Sequence, residues 1–223
     1  RKAVRTHLID SETLIVSGNC QTSQAMALYY GCFEPEEEKQ AFAHLLRLIQ
    51  EKNGHMDTGV LGGRVLFRLL ADHGEAELAF NIIVRPDFPS YGNWIARGAT
   101  SLWEEFHPEG GRIASLNHHF WGDVSAWFYE YLGGIRLNPT GYDASNVNVQ
   151  PIFISQLSHV CAEHETPHGI LRTEWIRTTD GVCLTVEAAP VLHGKIILPK
   201  GCRFENGTEE CRLASGTYRV LCQ

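Results

Sequence analysis

The apolar pattern of the chain changes period once, near Asn138-Pro139-Thr140-Gly141, and that change limits what the 223 residues can build. Before it, apolar residues recur at helical spacing. Residues 21–30 read as a helix closed by Gly31. Residues 36–53 place Phe42, Leu45, Leu46 and Ile49 on one i, i+3, i+4, i+7 stripe, which Asn53-Gly54 stops. Residues 58–73 repeat the pattern with Leu61, Val65, Leu69 and Leu70 up to Gly74, and Leu78, Ile82 and Ile83 mark a shorter helix. Val124, Trp127, Phe128 and Tyr131 define a strongly amphipathic helix ended by Gly133-Gly134. Short links between such helices imply antiparallel neighbours, so this half predicts stacked helical hairpins.

After residue 140 the period is two. Candidate strands are residues 146–154, 171–177, 182–188, 195–198 and 217–221, rich in Val, Ile and Thr and punctuated by Gly, Pro and Asp. Five or more such strands predict a small antiparallel β-sandwich. The expected organisation is a helical domain over residues 1–138 and a β domain over 139–223. With 43% hydrophobic and 20% charged residues the chain can bury a substantial core.

The net charge of −7 points away from nucleic acid, whose phosphates need clustered Lys and Arg. The acidic run Glu34-Pro-Glu-Glu-Glu38 reads as a solvated helix start, where carboxylates face the positive end of the helix dipole. No apolar run approaches the ~20 residues of a membrane helix, and residues 1–10 are too polar for a signal peptide. The seven cysteines show no Cys-x-x-Cys and no zinc-ligand spacing; the last three or four could pair in an oxidising compartment, and free buried thiols are the expectation.

Two stretches in the helical half read as loops rich in aromatic, polar and glycine residues. The first runs from Pro89-Ser-Tyr-Gly-Asn-Trp94 through Arg97 to Glu105, and the second is Ser115-Leu-Asn-His-His-Phe-Trp-Gly122. Flat aromatic faces beside carboxylates and amides suit a sugar, which presents both C–H faces and hydroxyls. Taken singly, each residue also has a plain structural reading. Glu104 fits a helix-start or surface carboxylate, and Trp103 fits a core position. His118 and His119 fit one satisfied core histidine beside an exposed one, and Asp57 fits the N-cap of the helix that follows it.

The motifs taken in order carry more. Gly98-Ala-Thr-Ser-Leu-Trp-Glu104 resembles the Gly-Ala-Thr-Thr-Leu-Trp-Glu signature of bacterial-type α-L-rhamnosidases, glycoside hydrolase family 78. Gln21-Thr-Ser-Gln-Ala25 is similar to the start of a barrel helix in that family, and Gly54-His-Met-Asp-Thr-Gly-Val-Leu-Gly62 to its Gly-His-Leu-Asp-Thr-Gly-Ile-Leu-Gly loop. Asp72-His-Gly74, Ser115-Leu-Asn-His118, residues 127–135, Thr166 to Trp175 and Leu198-Pro199 follow in the family's order. The resemblance implies part of an (α/α)6 barrel followed by a β-sandwich. It also implies hydrolysis of terminal α-L-rhamnosides with inversion, by two carboxyl groups roughly 6.5–9.5 Å apart. Glu104 matches the general base and His118 a sugar contact, with Trp103, Asp57, Trp94 and Asn117 as further cleft residues. The implied chemistry requires no cofactor or metal, and the implied partner is a rhamnose-containing glycoside.

Three departures qualify the match. The family's acidic cluster, with the general acid, lies upstream of the segment that aligns here. Arg1 is therefore expected not to be the native N-terminus, and the missing N-terminal part of the same enzyme is the expected partner. Without it the segment should be inactive and should expose apolar faces. Pro89-Ser-Tyr-Gly-Asn-Trp94 stands where the family has Pro-Ser-Trp-Gly-Tyr, and Ser101 stands where Thr is common. Two other readings keep the fold: a non-catalytic sugar-binding homologue, and a barrel glycosidase of different sugar specificity.

Overall fold

The computed structural model describes residues 1–108, 111–137 and 143–222; the change of period at Asn138 to Gly141 lies outside them. The chain forms two compact units, Arg1–Val124 and Ser125–Gln223.

The first unit is helical. Its elements are α1 (Lys2–Leu8), α2 (Gln21–Tyr29), α3 (Pro35–Glu51), α4 (Val60–Asp72), α5 (Ala76–Val84) and α6 (Tyr91–Ala96), with α7 (Asp123–Trp127) beginning at its end. α2 packs on both α3 and α4, α4 on α5, and α5 on α6. The α3 stripe is Ala41, Phe42, Leu45, Leu48 and Ile49, with Leu48 buried in place of the expected Leu46. α4 buries Val65, Leu69 and Leu70 as expected and adds Leu66 and Phe67, but Leu61 is 68% exposed. The chain leaves α4 through Gly74 at φ +87°, a left-handed conformation that glycine adopts without a Cβ clash.

The acidic helix start is not simply solvated. Glu34 and Glu37 form a capping box at the head of α3. The Glu37 carboxylate also accepts from Arg5 Nη1 at 2.6 Å and Nη2 at 3.0 Å, which holds its pKa down to about 2. Buried amides do similar work inside the unit. Gln24, with no exposed surface, donates to the Leu14 and Ala41 carbonyls at 3.1 Å each and accepts from the Val16 N–H at 3.0 Å. One side chain thus ties α2, α3 and the 10–17 turn together.

In the second unit α7 runs into a π-helical turn, Phe128–Leu132. Among the described residues nine strands follow: β1 (Ile135–Leu137), β2 (Val147–Val149), β3 (His159–Thr166), β4 (Gly169–Thr178), β5 (Gly181–Ala188), β6 (Lys195–Ile197), β7 (Cys202–Phe204), β8 (Glu210–Arg212) and β9 (Gly216–Cys222). They make a four-stranded sheet in the order β1-β2-β6-β8 and a five-stranded sheet in the order β3-β4-β5-β9-β7. All pairs are antiparallel except β2 with β6. Val147, Val149 and Ile196 from one sheet share a core with Leu171, Trp175, Leu184, Val186 and Val220 from the other. The helical and then β architecture matches the expectation. The cysteine expectation does not hold throughout, because cross-strand neighbours Cys202 and Cys222 are disulfide-bonded, and of the five free thiols only Cys32 is buried.

Candidate active site

α6 gives order to the first loop-like stretch. Ser90 caps it, its hydroxyl accepting from the Asn93 N–H at 2.9 Å and donating to the Arg85 carbonyl at 2.5 Å. A Cβ at Gly92 would lie 2.2 Å from the Val84 carbonyl oxygen, so the close approach of α6 to the end of α5 requires glycine there. Tyr91 and Trp94 turn inward from this helix. Trp94 stacks on Phe106 with ring centroids 4.1 Å apart, and Trp103 and Trp121 meet Trp94 at 6.1 and 6.5 Å. The Tyr91 hydroxyl donates to the Trp121 carbonyl at 3.2 Å, and burial pushes its pKa above the ordinary phenol value.

Segments 101–104 and 115–118 pair against this aromatic cluster. The Glu104 N–H donates to the Ser115 carbonyl at 2.9 Å and the His118 N–H to the Leu102 carbonyl at 2.8 Å. Ser101 Oγ donates to the Leu116 carbonyl at 2.5 Å. From the other side, the Trp121 indole N–H donates to the Glu104 carbonyl at 2.9 Å. Both backbone polar groups of Glu104 are therefore fixed. Its carboxylate, on a half-buried residue, makes no hydrogen bond or ion pair among the described residues. A carboxylate held at its base and free at its tip can accept a proton from water.

Four of the other expected site residues join it. Trp103 is 8% exposed and carries the Arg97 guanidinium 5.1 Å above its ring. His118 is half-buried, and its ring meets Phe120 edge-on at 4.3 Å. Asn117 is exposed, its N–H donating to Ser115 Oγ at 3.3 Å. Trp94 is 2% exposed and packs as core. Asp57 belongs to a separate loop held by buried Gln21, whose Oε1 accepts from the Asp57 N–H at 2.8 Å and whose Nε2 donates to the His55 carbonyl at 3.0 Å. The Asp57 carboxylate pairs with Lys52 Nζ at 2.7 Å, and Gly59, not Asp57, is the N-cap of α4. The two regions meet through Gly63, where a Cβ would lie 2.7 Å from Trp121 Cζ3 and 3.6 Å from Thr58 Oγ1.

Among the described residues, the buried side-chain polar atoms without a hydrogen-bond partner are Thr58 Oγ1, Trp94 Nε1 and His118 Nε2. Each such atom costs roughly 1–3 kcal/mol unless something outside the chain satisfies it. The expected site thus gains Thr58, Tyr91, Phe106 and Trp121, which the motifs did not single out. Trp121 lies within the second aromatic stretch, but its bond to Glu104 spans 17 residues and leaves no local signal. No group of three or more His, Cys, Asp or Glu among the described residues could hold a metal ion.

Residues 1–132 match the family model for the bacterial alpha-L-rhamnosidase 6 hairpin glycosidase domain, and residues 134–210 that for the bacterial alpha-L-rhamnosidase C-terminal domain. The chain belongs to the bacterial α-L-rhamnosidase family. It is 28% identical to an alpha-L-rhamnosidase of Streptomyces avermitilis over 238 residues, covering 98% of this chain and 23% of that protein. It is 32% identical to one of Formosa agariphila over 226 residues, covering 90% and 24%. The crystal structure of the Streptomyces avermitilis alpha-L-rhamnosidase complexed with L-rhamnose superposes with a TM-score of 0.87 at 25% identity, over all of this chain and 23% of that one. The chain therefore spans about a quarter of the length of these α-L-rhamnosidases. Its helical unit carries the six-hairpin match, and the β unit that of the C-terminal domain.

Proposed function

We propose that this chain is the C-terminal part of an enzyme that hydrolyses terminal α-L-rhamnosides with inversion, and that Glu104 is its general base. The observation that carries the reading is the carboxylate itself, pinned through both backbone groups of its residue and left without a hydrogen bond or ion pair among the described residues. In the proposed step a water oxygen bonds to the anomeric carbon as the glycosidic C–O bond breaks. The water proton passes to Glu104, and the leaving oxygen takes a proton from a general acid supplied outside this segment. His118 Nε2 and Thr58 Oγ1 would meet sugar hydroxyls, which both donate and accept. Asn117 and Trp103 would line the same cleft, with Trp94 behind Trp103 as its support and Asp57 at the edge.

The test uses the full-length protein on an aryl α-L-rhamnoside. Glu104→Gln should lower kcat by about 10²- to 10⁴-fold, the usual worth of a general base. Azide, which needs no deprotonation, should restore turnover and give the inverted glycosyl azide. Near-normal turnover in Glu104→Gln would remove the residue from the mechanism. Rhamnoside binding without turnover in the unmutated full-length protein would support the non-catalytic homologue instead.

A further inference from the structure

We infer that Trp121 is the positioning residue of the proposed base, and that Gly63 is the glycine that lets it take that place. The inference rests on Glu104 being the base. The Trp121 side chain is 5% exposed, and its one polar atom is spent on the Glu104 carbonyl, 2.9 Å away. Three rings fix the indole plane: Phe106 at 4.7 Å, Tyr91 at 6.2 Å and Trp94 at 6.5 Å, each meeting it steeply. The Tyr91 hydroxyl holds the backbone of the same residue through its carbonyl. On the remaining side the six-membered ring lies against the α4 backbone at Gly63, in space that even a methyl group would occupy.

The consequence concerns placement rather than binding. The N–H of Glu104 is held by Ser115, so the indole is the second of two anchors on one peptide segment. Two anchors on either side of one Cα restrict its φ and ψ, and with them the direction in which the carboxylate leaves the backbone. An angular error there displaces the carboxylate relative to the attacking water, and a misplacement of about 1 Å can cost on the order of 10²-fold in rate. Binding of the sugar would be little affected, since Trp121 offers no free polar atom to it.

The experiment replaces Trp121 in the full-length protein with β-(3-benzothienyl)alanine, which keeps the ring shape and loses the N–H. The expected result is a kcat about 10- to 100-fold lower with KM within about 2-fold and only the few-degree drop in melting temperature that one lost hydrogen bond brings. Gly63→Ala, which pushes on the ring and keeps the N–H, should lower kcat in the same sense. Unchanged kcat in the benzothienyl variant, or a loss confined to KM, overturns the inference. Parallel assay of Glu104→Gln separates the two readings. If that variant is dead while the benzothienyl variant turns over normally, only the role of Trp121 fails; if it is active, the role of Glu104 fails first.

Discussion

The two units differ in how completely they satisfy their own buried polar groups. Among the described residues of the β unit, each buried polar side chain has a partner. Thr173 Oγ1 donates to the Gly133 carbonyl at 2.6 Å, Thr166 Oγ1 to the Gly169 carbonyl at 2.7 Å, and Ser145 Oγ to Asp143 at 2.6 Å. Even the fully buried Trp175 donates its indole N–H to the Leu132 carbonyl at 2.8 Å. In the helical unit α2 is equally well satisfied through Gln21 and Gln24, yet Thr58, Trp94 and His118 keep buried atoms without partners among the described residues. The unsatisfied atoms fall around the expected site and nowhere else among those residues. The comparison teaches that the β unit is built for its own stability. The helical unit carries a local deficit where a polar ligand would repay it.

Removing the centre of the β unit should have the largest effect on stability. Trp175→Ala deletes a side chain with no exposed surface and leaves the Leu132 carbonyl unpaired, at a cost of about 3–5 kcal/mol. Urea unfolding followed by hydrogen exchange in β4 and β5 would read it. Gln24→Leu is the counterpart in the helical unit. It strands the Val16 N–H and the Leu14 carbonyl and removes the second bond to the Ala41 carbonyl, and about 2–4 kcal/mol should be lost, seen as lower protection in α2 and α3. A loss below about 1 kcal/mol in either variant would show that the buried bonds are readily replaced by water.

A matched pair of smaller changes tests the comparison directly. Thr173→Val removes a hydroxyl that is bonded, and should destabilise the protein by about 1 kcal/mol or somewhat more. Thr58→Val removes one that is not, and should stabilise it by up to about 1 kcal/mol while raising KM for the rhamnoside. The same substitution is thus expected to change sign between the units, as read by melting temperature. If both variants are destabilised alike, Thr58 has a partner within the protein and the deficit is not real.

Much of this layout was legible in advance, and the failures share a cause. The helices of the first unit follow from the 3.6-residue stripe and from the glycines that end them, because one buried face and one chain reversal are local properties. Where a stripe misled, as with Leu46 for Leu48 and with Leu61, neighbouring helices chose which edge of the face to cover. β3 escaped notice because it is an edge strand whose His159, Cys161, Glu163 and His164 face solvent without clean alternation. α6 was read as loop because a six-residue helix made by the Ser90 cap has no room for a stripe. At the site, Glu104 stood out only through motifs taken in order, and Trp94 was read as a cleft aromatic although it packs as core. The bond from Trp121 to Glu104 and the unpartnered hydroxyl of Thr58 both arise from how distant segments pack, which spacing along the chain does not encode.

Acid should separate the units by the smallest margin, through His44 on α3. This residue is 6% exposed, with Nε2 at 2.8 Å from Asn19 Oδ1 and Nδ1 facing an Arg47 guanidinium. Arg47 can only donate, so Nδ1 accepts and the ring is neutral, donating from Nε2 to Asn19. Burial, and then the Arg47 charge, lower its pKa from the ordinary value of 6.5. Below about pH 6.5 the unfolded chain therefore takes up a proton that the folded one resists, and stability falls as pH drops from there toward the depressed folded value. Glu37 and Asp87, both held near pKa 2 by arginines, contribute a second loss in the same unit, confined to pH below about 4.5. In the β unit Asp143, lowered by its bonds to Ser145, titrates only in that lower window. Between about pH 6.5 and 5, amide protection corrected for intrinsic exchange should fall in α2 and α3 and hold in β4 and β5. Replacing His44 with glutamine, which cannot take the proton, should abolish the difference; if protection in the two units falls together in that range, His44 is not its source.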